Sequence, residues 1–502
     1  MMKKNIYKYL ALILVLNMGC TNLDEKLFDT VKSTEYGQTE DEIKTIVGNA
    51  YASLRGFNDG ISISYPTSEY VFFLNEVTSD EACIATKIGG GWFDGGDYIR
   101  AQHHTWTPDN RMILSAWRYG FVGVSKVNSI IFQVNNSNLS EAQKRVINVE
   151  LRGIRAYYYY QLLDWFGNVP IVTNFDVSEL PENSSRIEVF NFVESELLDI
   201  MPDLKPETIY GTFTQNVANT LLARLYLNAE IFTGTPRWQD CINACDKVTN
   251  YILESNYFTN FLIQNEVSNE IIFAIPYDSK SGTVGNYNQS MTVQEFQKFA
   301  ISPTGNYPGS PNGLLSQPGL YSSFDNNDLR KKSLLEGKQI NIRTGEVILL
   351  DDGSELDYTE AIGDLNAAKA NEGVRMYKYE VKDGEGWERD HDFVVMRYSE
   401  ILLMKAECYV RLGNSGMAFP LVQQVRSRAG LPTSGTIDLD FINDELKFEF
   451  VYEGHRRTDN IRFGDFFQPW WNKGATPAFR GIFPIPKSEL EKNKNLVQNP
   501  GY

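Results

Sequence analysis

The stretch LRGIRAYYYYQLLDWFGNVPIV, residues 151–172, limits what this chain can fold into more than any other, because four consecutive tyrosines and a Trp-Phe pair sit inside a helical repeat. Upstream, Ser140 followed by Gln143 reads as a capping box and predicts a helix start. Ile147, Leu151, Ile154, Tyr158, Leu162 and Trp165 then recur at intervals of three or four, which is one helical stripe. A second stripe runs through Val149, Gly153, Ala156, Tyr160 and Leu163, with the small Gly153 and Ala156 placed where a neighbouring helix can approach closely. Gly167 and Pro170 end the helix. A helix apolar on two faces is sandwiched between other helices. The tyrosines are therefore expected to be packing, and a ligand surface has to be sought elsewhere.

Helix-period segments recur over 41–55, 113–133, 140–166, 187–200, 217–232, 238–253, 398–412, 415–429 and 441–453. Two pairs read as hairpins: LLARLYLNAEIFTG (221–234) runs into TPRWQDCINACDKVTNYI, and EILLMKAECYVRLG (400–413) runs into NSGMAFPLVQQVRSRAG. In each, an alanine-bearing helix ends at a glycine and a second begins within a few residues, as in the helix-turn-helix unit of tetratricopeptide arrays. Between them, roughly 255–395, lies a region rich in Gly, Asn, Ser, Pro and Tyr with only short strand-like runs, EIIFAIPY (270–277) and GEVILLDD (345–352). So much irregular chain usually carries function.

The N-terminus MMKKNIYKYLALILVLNMGC has a basic start, Lys3, Lys4 and Lys8, followed by an apolar run too short to span a bilayer, and is read as a secretory signal. It ends at Met18-Gly19-Cys20, which resembles the lipobox of bacterial lipoproteins, so Cys20 is the expected lipidation site. Removing the three lysines takes the formal charge from −17 to −20. That surface repels nucleic acid and anionic lipid heads alike, leaving acyl chains on Cys20 as the anchor. The remaining cysteines are Cys83, Cys241, Cys245 and Cys408. Cys241 and Cys245 fall on an apolar stripe with Ile242, Val248 and Ile252 and are expected to be small core residues. The four histidines, His103, His104, His391 and His455, are not spaced to complete a zinc site, and no metal or cofactor is expected.

A second loop-rich stretch, TKIGGGWFDGGDYIRAQHHTWTP (86–108), carries five glycines among Trp92, Phe93, Tyr98 and Trp106. The glycines permit unusual backbone angles and close approach of a ligand, and the rings offer flat apolar faces. The spacing is not that of a phosphate loop, and Asp94 and Asp97 would repel phosphate. Sugars fit better: pyranose C–H faces stack on aromatic rings, and carboxylates accept hydroxyl protons. The competing reading makes Trp92 or Trp106 a plug of the core. The candidate glycan-binding residues are Trp92, Phe93, Asp94 and Asp97, with Tyr287 and Tyr307 from the second irregular region. The pair His103-His104 reads as packing or capping.

Five pieces in order, Gly19-Cys20, LRGIRAYYYYQLLDWFGNVPIV, the hairpin at 397–431, FEFVYEGHRRTDNIRFGDF (448–466) and the tail FPIPKSELEKNKNLVQNPGY (483–502), resemble the SusD/RagB family of Bacteroidetes outer-membrane lipoproteins. The resemblance implies a mainly α fold: tetratricopeptide-like helical hairpins forming a right-handed scaffold, with long irregular loops and a few short strands. It implies a signal peptide over 1–19 and a single domain over 20–502, with scaffold at about 40–254 and 396–465 and loop-rich ligand-binding insertions at about 60–110 and 255–395. Function follows as a non-catalytic, cell-surface glycan-binding lipoprotein of the outer membrane that delivers oligosaccharides to a SusC-like TonB-dependent transporter. Asp24-Glu25 resemble a surface-export signal. Arg456, Arg457, Asp459 and Arg462, near Glu449 and Glu453, are expected to be salt-linked structure, and the FPIP and NPGY segments to be extended chain clamped on the body. The alternatives are a helical-repeat scaffold for a protein or peptide, and a surface glycoside hydrolase, which needs two carboxylates about 5–9.5 Å apart.

Overall fold

The computed structural model describes residues 39–60, 64–67, 70–176, 179–278, 286, 312–341, 344–350, 352–380 and 390–502. Cys20, Tyr287 and Tyr307 lie outside these. The helices are α1 (Glu40–Ser53), α2 (Val71–Val77), α3 (Asp97–Gln102), α4 (Arg111–Asn135), α5 (Glu141–Phe166), α6 (Arg186–Ile200), α7 (Gln215–Leu227), α8 (Ala229–Thr233), α9 (Trp238–Cys245), α10 (Leu320–Ser323), α11 (Tyr398–Arg411), α12 (Ser415–Arg428), α13 (Leu439–Glu449), α14 (Arg456–Phe463) and α15 (Lys487–Lys492). The helical hairpins pack in series, α4 on α5, α5 on α6, α6 on α7, α7 on α9, α9 on α11 and α11 on α12, so sequence-remote halves build one scaffold. The strands are short. The antiparallel sheet β1-β3-β7-β4 joins Ala82–Ile84, Leu314–Ser316, Arg375–Met376 and Leu334–Leu335, and β2 (Ile271–Ile275) pairs antiparallel with β8 (Phe393–Arg397). Strands β5 (Gly337–Lys338) and β6 (Asp357–Tyr358) form a third pair.

Local signals set the helix limits. Reciprocal capping boxes at Thr39, Ser140 and Ser185 start α1, α5 and α6. Gly167, at φ 67°, ends α5. The four tyrosines of α5 are all buried, and since successive residues rotate by about 100° each meets a different wall. Tyr157 meets Phe273 of β2 edge-on, and the Tyr158 hydroxyl reaches Ser53 of α1 at 2.9 Å. Tyr159 accepts from the Val172 N–H at 2.7 Å, and Tyr160 faces Phe232 of α8. The glycines that admit α5 sit on the facing helix: a Cβ on Gly123 would lie 2.2 Å from the Tyr158 ring, and one on Gly120 would lie 2.5 Å from Leu162. Gly153 is closely packed too, but against Phe213 from the loop before α7, at 2.2 Å, and not against a helix.

The helix expected over 238–253 stops at Cys245; the chain turns after it, and Asn250 takes a left-handed φ of 67°, which does not continue a helix. Ile252 is consequently 61% exposed and leaves the apolar stripe. Cys241, Cys245 and Cys408 are free and buried where α9 meets α11. The run 345–352 forms no strand within its described residues, only isolated bridges from Val347 to Ile340 and Leu349 to Glu355.

The charged segment at 449–462 is salt-linked as expected, and it is largely buried. Arg456 pairs with Asp80 at 2.6 Å, Arg457 with Asp164 at 2.8 Å and Arg462 with Glu407 at 2.7 Å. Glu449 and Glu453 instead take Arg330, Lys378, Arg397 and Arg428. Removing one partner from such a group strands a buried charge, so the segment locks α14 and the α13–α14 turn onto both halves of the chain. The FPIP segment is extended chain clamped on the body, Phe483 N–H donating to Trp165 O at 2.7 Å, and the Asn499 amide donates to Phe166 O and Phe483 O, both at 2.8 Å. NPGY, expected to be extended, instead closes a turn in which Gly501 takes a φ of 97° and Tyr502 N–H donates to Asn499 O at 3.4 Å.

Candidate ligand-binding site

The glycine-aromatic loop leaves β1 and is zipped at its base to a remote segment. Thr86 N–H donates to Leu365 O at 2.9 Å, Ala368 N–H to Thr86 O at 2.9 Å and Ile88 N–H to Ala368 O at 3.0 Å. A tight turn follows, with Lys87 N–H donating to Gly91 O at 2.8 Å, and it requires left-handed φ values at Gly89 (96°) and Gly90 (91°). Left-handed φ values recur at Trp92 (61°) and Asp94 (43°), which are not glycines. Such conformations cost about 1–3 kcal/mol each and persist where the surroundings impose them.

Those surroundings are specific. Trp92 is partly buried, its ring 6.1 Å from Phe73 of α2 and 5.8 Å from Tyr98 of α3. It lies over Gly313, where a Cβ would come within 2.4 Å of the indole, so only glycine leaves room for it. The indole is therefore not the free-standing ring its glycine neighbours suggest: part of it is held by the core, which presents the remainder at the surface. Phe93 beside it is 56% exposed, and Ile88 in the same loop 67%.

Arg111, the first residue of α4, anchors the acidic side. Its Nη2 donates to Asp94 O at 2.6 Å and to Asp94 Oδ1 at 3.1 Å, and its Nε donates to Asp97 Oδ2 at 3.0 Å. Arg100 takes the other Asp97 oxygen and also donates to Gly95 O at 2.9 Å. Asp97 is buried with both oxygens engaged, so it holds the loop to α4, while Asp94 stays partly exposed. Lys87 Nζ is buried without a hydrogen-bond partner among the described residues. Burial and the nearby Arg375 guanidinium hold its ammonium well below the usual lysine value.

Trp92, Phe93, Asp94 and Asp97 thus share one loop, whereas Tyr287 and Tyr307 lie outside the described residues. Trp106 is core, 1% exposed, with Nε1 donating to the Tyr502 hydroxyl at 2.8 Å. His104 is packing: its Nε2 lies 2.9 Å from Thr78 O and its ring 4.2 Å from Phe466, and burial, with Lys473 near, holds its pKa well below the usual value. The sequence reading missed Gly313, Arg111 and Lys87. A glycine some 220 residues from its tryptophan gives no periodic signal; an arginine directly after the Asn110 cap is the one cue that was legible. Among the described residues no group of three or more His, Cys, Asp or Glu is arranged to hold a metal ion, and no helix is long and apolar enough to cross a membrane.

Residues 79–227 match a family described as starch-binding and associating with the outer membrane, and residues 356–480 match the SusD family. The starch-binding protein SusD of Bacteroides thetaiotaomicron is 26% identical over 89% of this chain and 88% of its own length. A SusD superfamily protein from Parabacteroides distasonis superposes with a TM-score of 0.75, at 20% identity over 94% of this chain and 100% of that one. Surface glycan-binding protein A from Bacteroides thetaiotaomicron in complex with laminarihexaose gives 0.71, at 21% identity over 92% and 99%. The two matched stretches together exceed half the chain and contain both the aromatic loop and the charged core, and the hairpin scaffold between and around them is that of the solved relatives: the chain belongs to the SusD/RagB family.

Proposed function

We propose that this chain is a non-catalytic lipoprotein of the outer cell surface that captures oligosaccharide and passes it to a SusC-like TonB-dependent transporter. In this reading residues 1–19 are removed, Cys20 carries the acyl chains, and 20–502 form one domain. Trp92 and Phe93 stack on sugar rings, Asp94 accepts hydroxyl protons, Asp97 fixes the loop through Arg100 and Arg111, and Tyr287 and Tyr307 add rings from the second irregular region. The observation that carries the reading is the exposed Phe93 beside a tryptophan held partly buried by Phe73, Tyr98 and Gly313 in a left-handed backbone. Strain of that kind gathers at ligand clamps. Relatives support the ligand class, since one is a starch-binding protein and another holds laminarihexaose.

Hydrolysis is disfavoured by the same geometry. Asp94 and Asp97 bind one guanidinium, whereas a glycosidase pair flanks an open space in which one carboxyl holds a proton. Calorimetry of the lipid-free chain against maltohexaose, laminarihexaose and other neutral oligosaccharides tests the proposal. Saturable binding without new reducing ends is expected; product release, or no binding across the panel, overturns it.

A further inference from the structure

A polar groove of about 670 Å³ runs along the scaffold between α4, α5 and α6, at the end of α4 opposite the Arg111 that anchors the aromatic loop. Its size lies in the roughly 300–1,000 Å³ range of small-ligand clefts. Four cations and four carboxylates line it, and they are cross-paired. Arg152 bridges Glu196 at 2.6 Å and Asp199 at 2.7 Å, Arg155 binds Glu196 at 2.6 Å, and Arg145 binds Asp203 at 2.6 Å. A charged ligand would have to displace one of these pairs, whereas a neutral one can add hydrogen bonds to them.

Two lining side chains, Arg155 and Asn148, each leave one buried polar atom over. Arg155 is 5% exposed; its Nη1 donates to Asn128 Oδ1 at 2.8 Å and Thr173 O at 3.1 Å, its Nη2 donates to Glu196, and its Nε has no partner among the described residues. Asn148 donates to Asn135 Oδ1 at 2.7 Å, and its own Oδ1 likewise has none among them. A hydroxyl is the small group that both donates and accepts, and so matches this donor and this acceptor. Next in sequence to the lining residues Ile131 and Asn174, Phe132 and Phe175 stand 48% and 51% exposed with ring centroids 5.8 Å apart and planes tilted by 41°. Two phenyl rings left in water beside a cleft of paired ions form a stacking platform.

We propose that this groove is a second saccharide site, taking a neutral oligosaccharide whose ring stacks on Phe132 and Phe175 and whose hydroxyl bridges Arg155 Nε and Asn148 Oδ1. The ligand class rests on the reading above; the site itself does not. The test is calorimetry of the lipid-free chain with maltohexaose, laminarihexaose and the uronate hexagalacturonate, comparing wild type, W92A/F93A and F132A/F175A. Wild type is expected to take a neutral hexasaccharide at two sites. W92A/F93A should keep the groove component, and F132A/F175A should weaken that component by about tenfold or more. Because both rings are exposed, the melting temperature of F132A/F175A should stay within about 2 °C of wild type. A neutral-sugar isotherm unchanged by F132A/F175A overturns the groove and leaves the loop standing; one unchanged by W92A/F93A but abolished by F132A/F175A keeps the groove and removes the loop. Tighter groove binding of hexagalacturonate than of either glucan overturns the neutral class, and no binding by wild type overturns both sites.

Discussion

Replacing Trp92 and Phe93 one at a time separates packing from binding, because the structure gives the two neighbours different surroundings. Trp92 is partly buried against Phe73, Tyr98 and Gly313, whereas Phe93 is 56% exposed. Truncating a fully buried Trp costs about 3–5 kcal/mol, so a partly buried one should cost about 2 kcal/mol in Trp92→Ala. Alanine inherits the left-handed φ of 61°, so no strain is released; Trp92→Gly, which releases it, should be less destabilising than the loss of contacts alone suggests. Phe93→Ala should stay within about 0.5 kcal/mol of wild type in stability. Binding should respond differently: each substitution should weaken oligosaccharide affinity by about 1–3 kcal/mol, roughly 5–150-fold, if both rings stack on sugar. Thermal or urea unfolding gives the first quantity and calorimetry with a bound hexasaccharide the second. The reasoning fails if Trp92→Ala melts low while its folded fraction binds normally and Phe93→Ala changes nothing. Trp92 would then be structural and Phe93 without a part in binding, and the binding face would move to residues 282–321.

Three further outcomes are expected. Gly153→Ala puts a Cβ 2.2 Å from the Phe213 ring and should destabilise by about 1–3 kcal/mol, whereas Gly48→Ala on α1, with nothing within 4 Å, should be neutral or slightly stabilising; equal melting temperatures for the two would refute the packing argument. Glu76 is pushed up to about 7 from 4.5, chiefly by burial, beside Glu81, which is also raised. The folded state therefore holds a proton that the unfolded chain releases, so the contribution is fully present below about pH 4.5 and is lost as pH rises through about 7, at a ceiling on the order of 3 kcal/mol. Glu76→Gln should accordingly gain on wild type in melting temperature between pH 5 and pH 8, and a constant offset would count against the proton held by Glu76. Cys20→Ala should leave a folded chain that no longer sediments with outer membranes; undiminished membrane recovery would remove the lipid anchor.

Periodicity and caps settled a good deal before any coordinates. The start of α5 at the Ser140 box, its end at Gly167 and the burial of Tyr157 to Tyr160 were all legible, because a helix repeats within a turn or two and its caps reach no further. The family could be identified from ordered motifs for the same reason. What each buried side chain meets was not legible. Gly120 and Gly123 admit α5 from the facing helix, and Gly153 answers to Phe213. The helix after Trp238 stops at Cys245 although its apolar spacing runs on. Arg457 finds Asp164, and Arg456 finds Asp80, across nearly three hundred residues or more. The aromatic loop shows the division most clearly: its glycines and rings mark it in the sequence, but whether Trp92 stands free or is held depends on Gly313, and whether Asp97 faces a ligand or a guanidinium depends on Arg111. Local spacing records which residues share a face of one element; partners from distant segments are chosen only when the folded chain brings them within contact, because packing and ion pairing act over a few ångströms of space irrespective of distance along the chain.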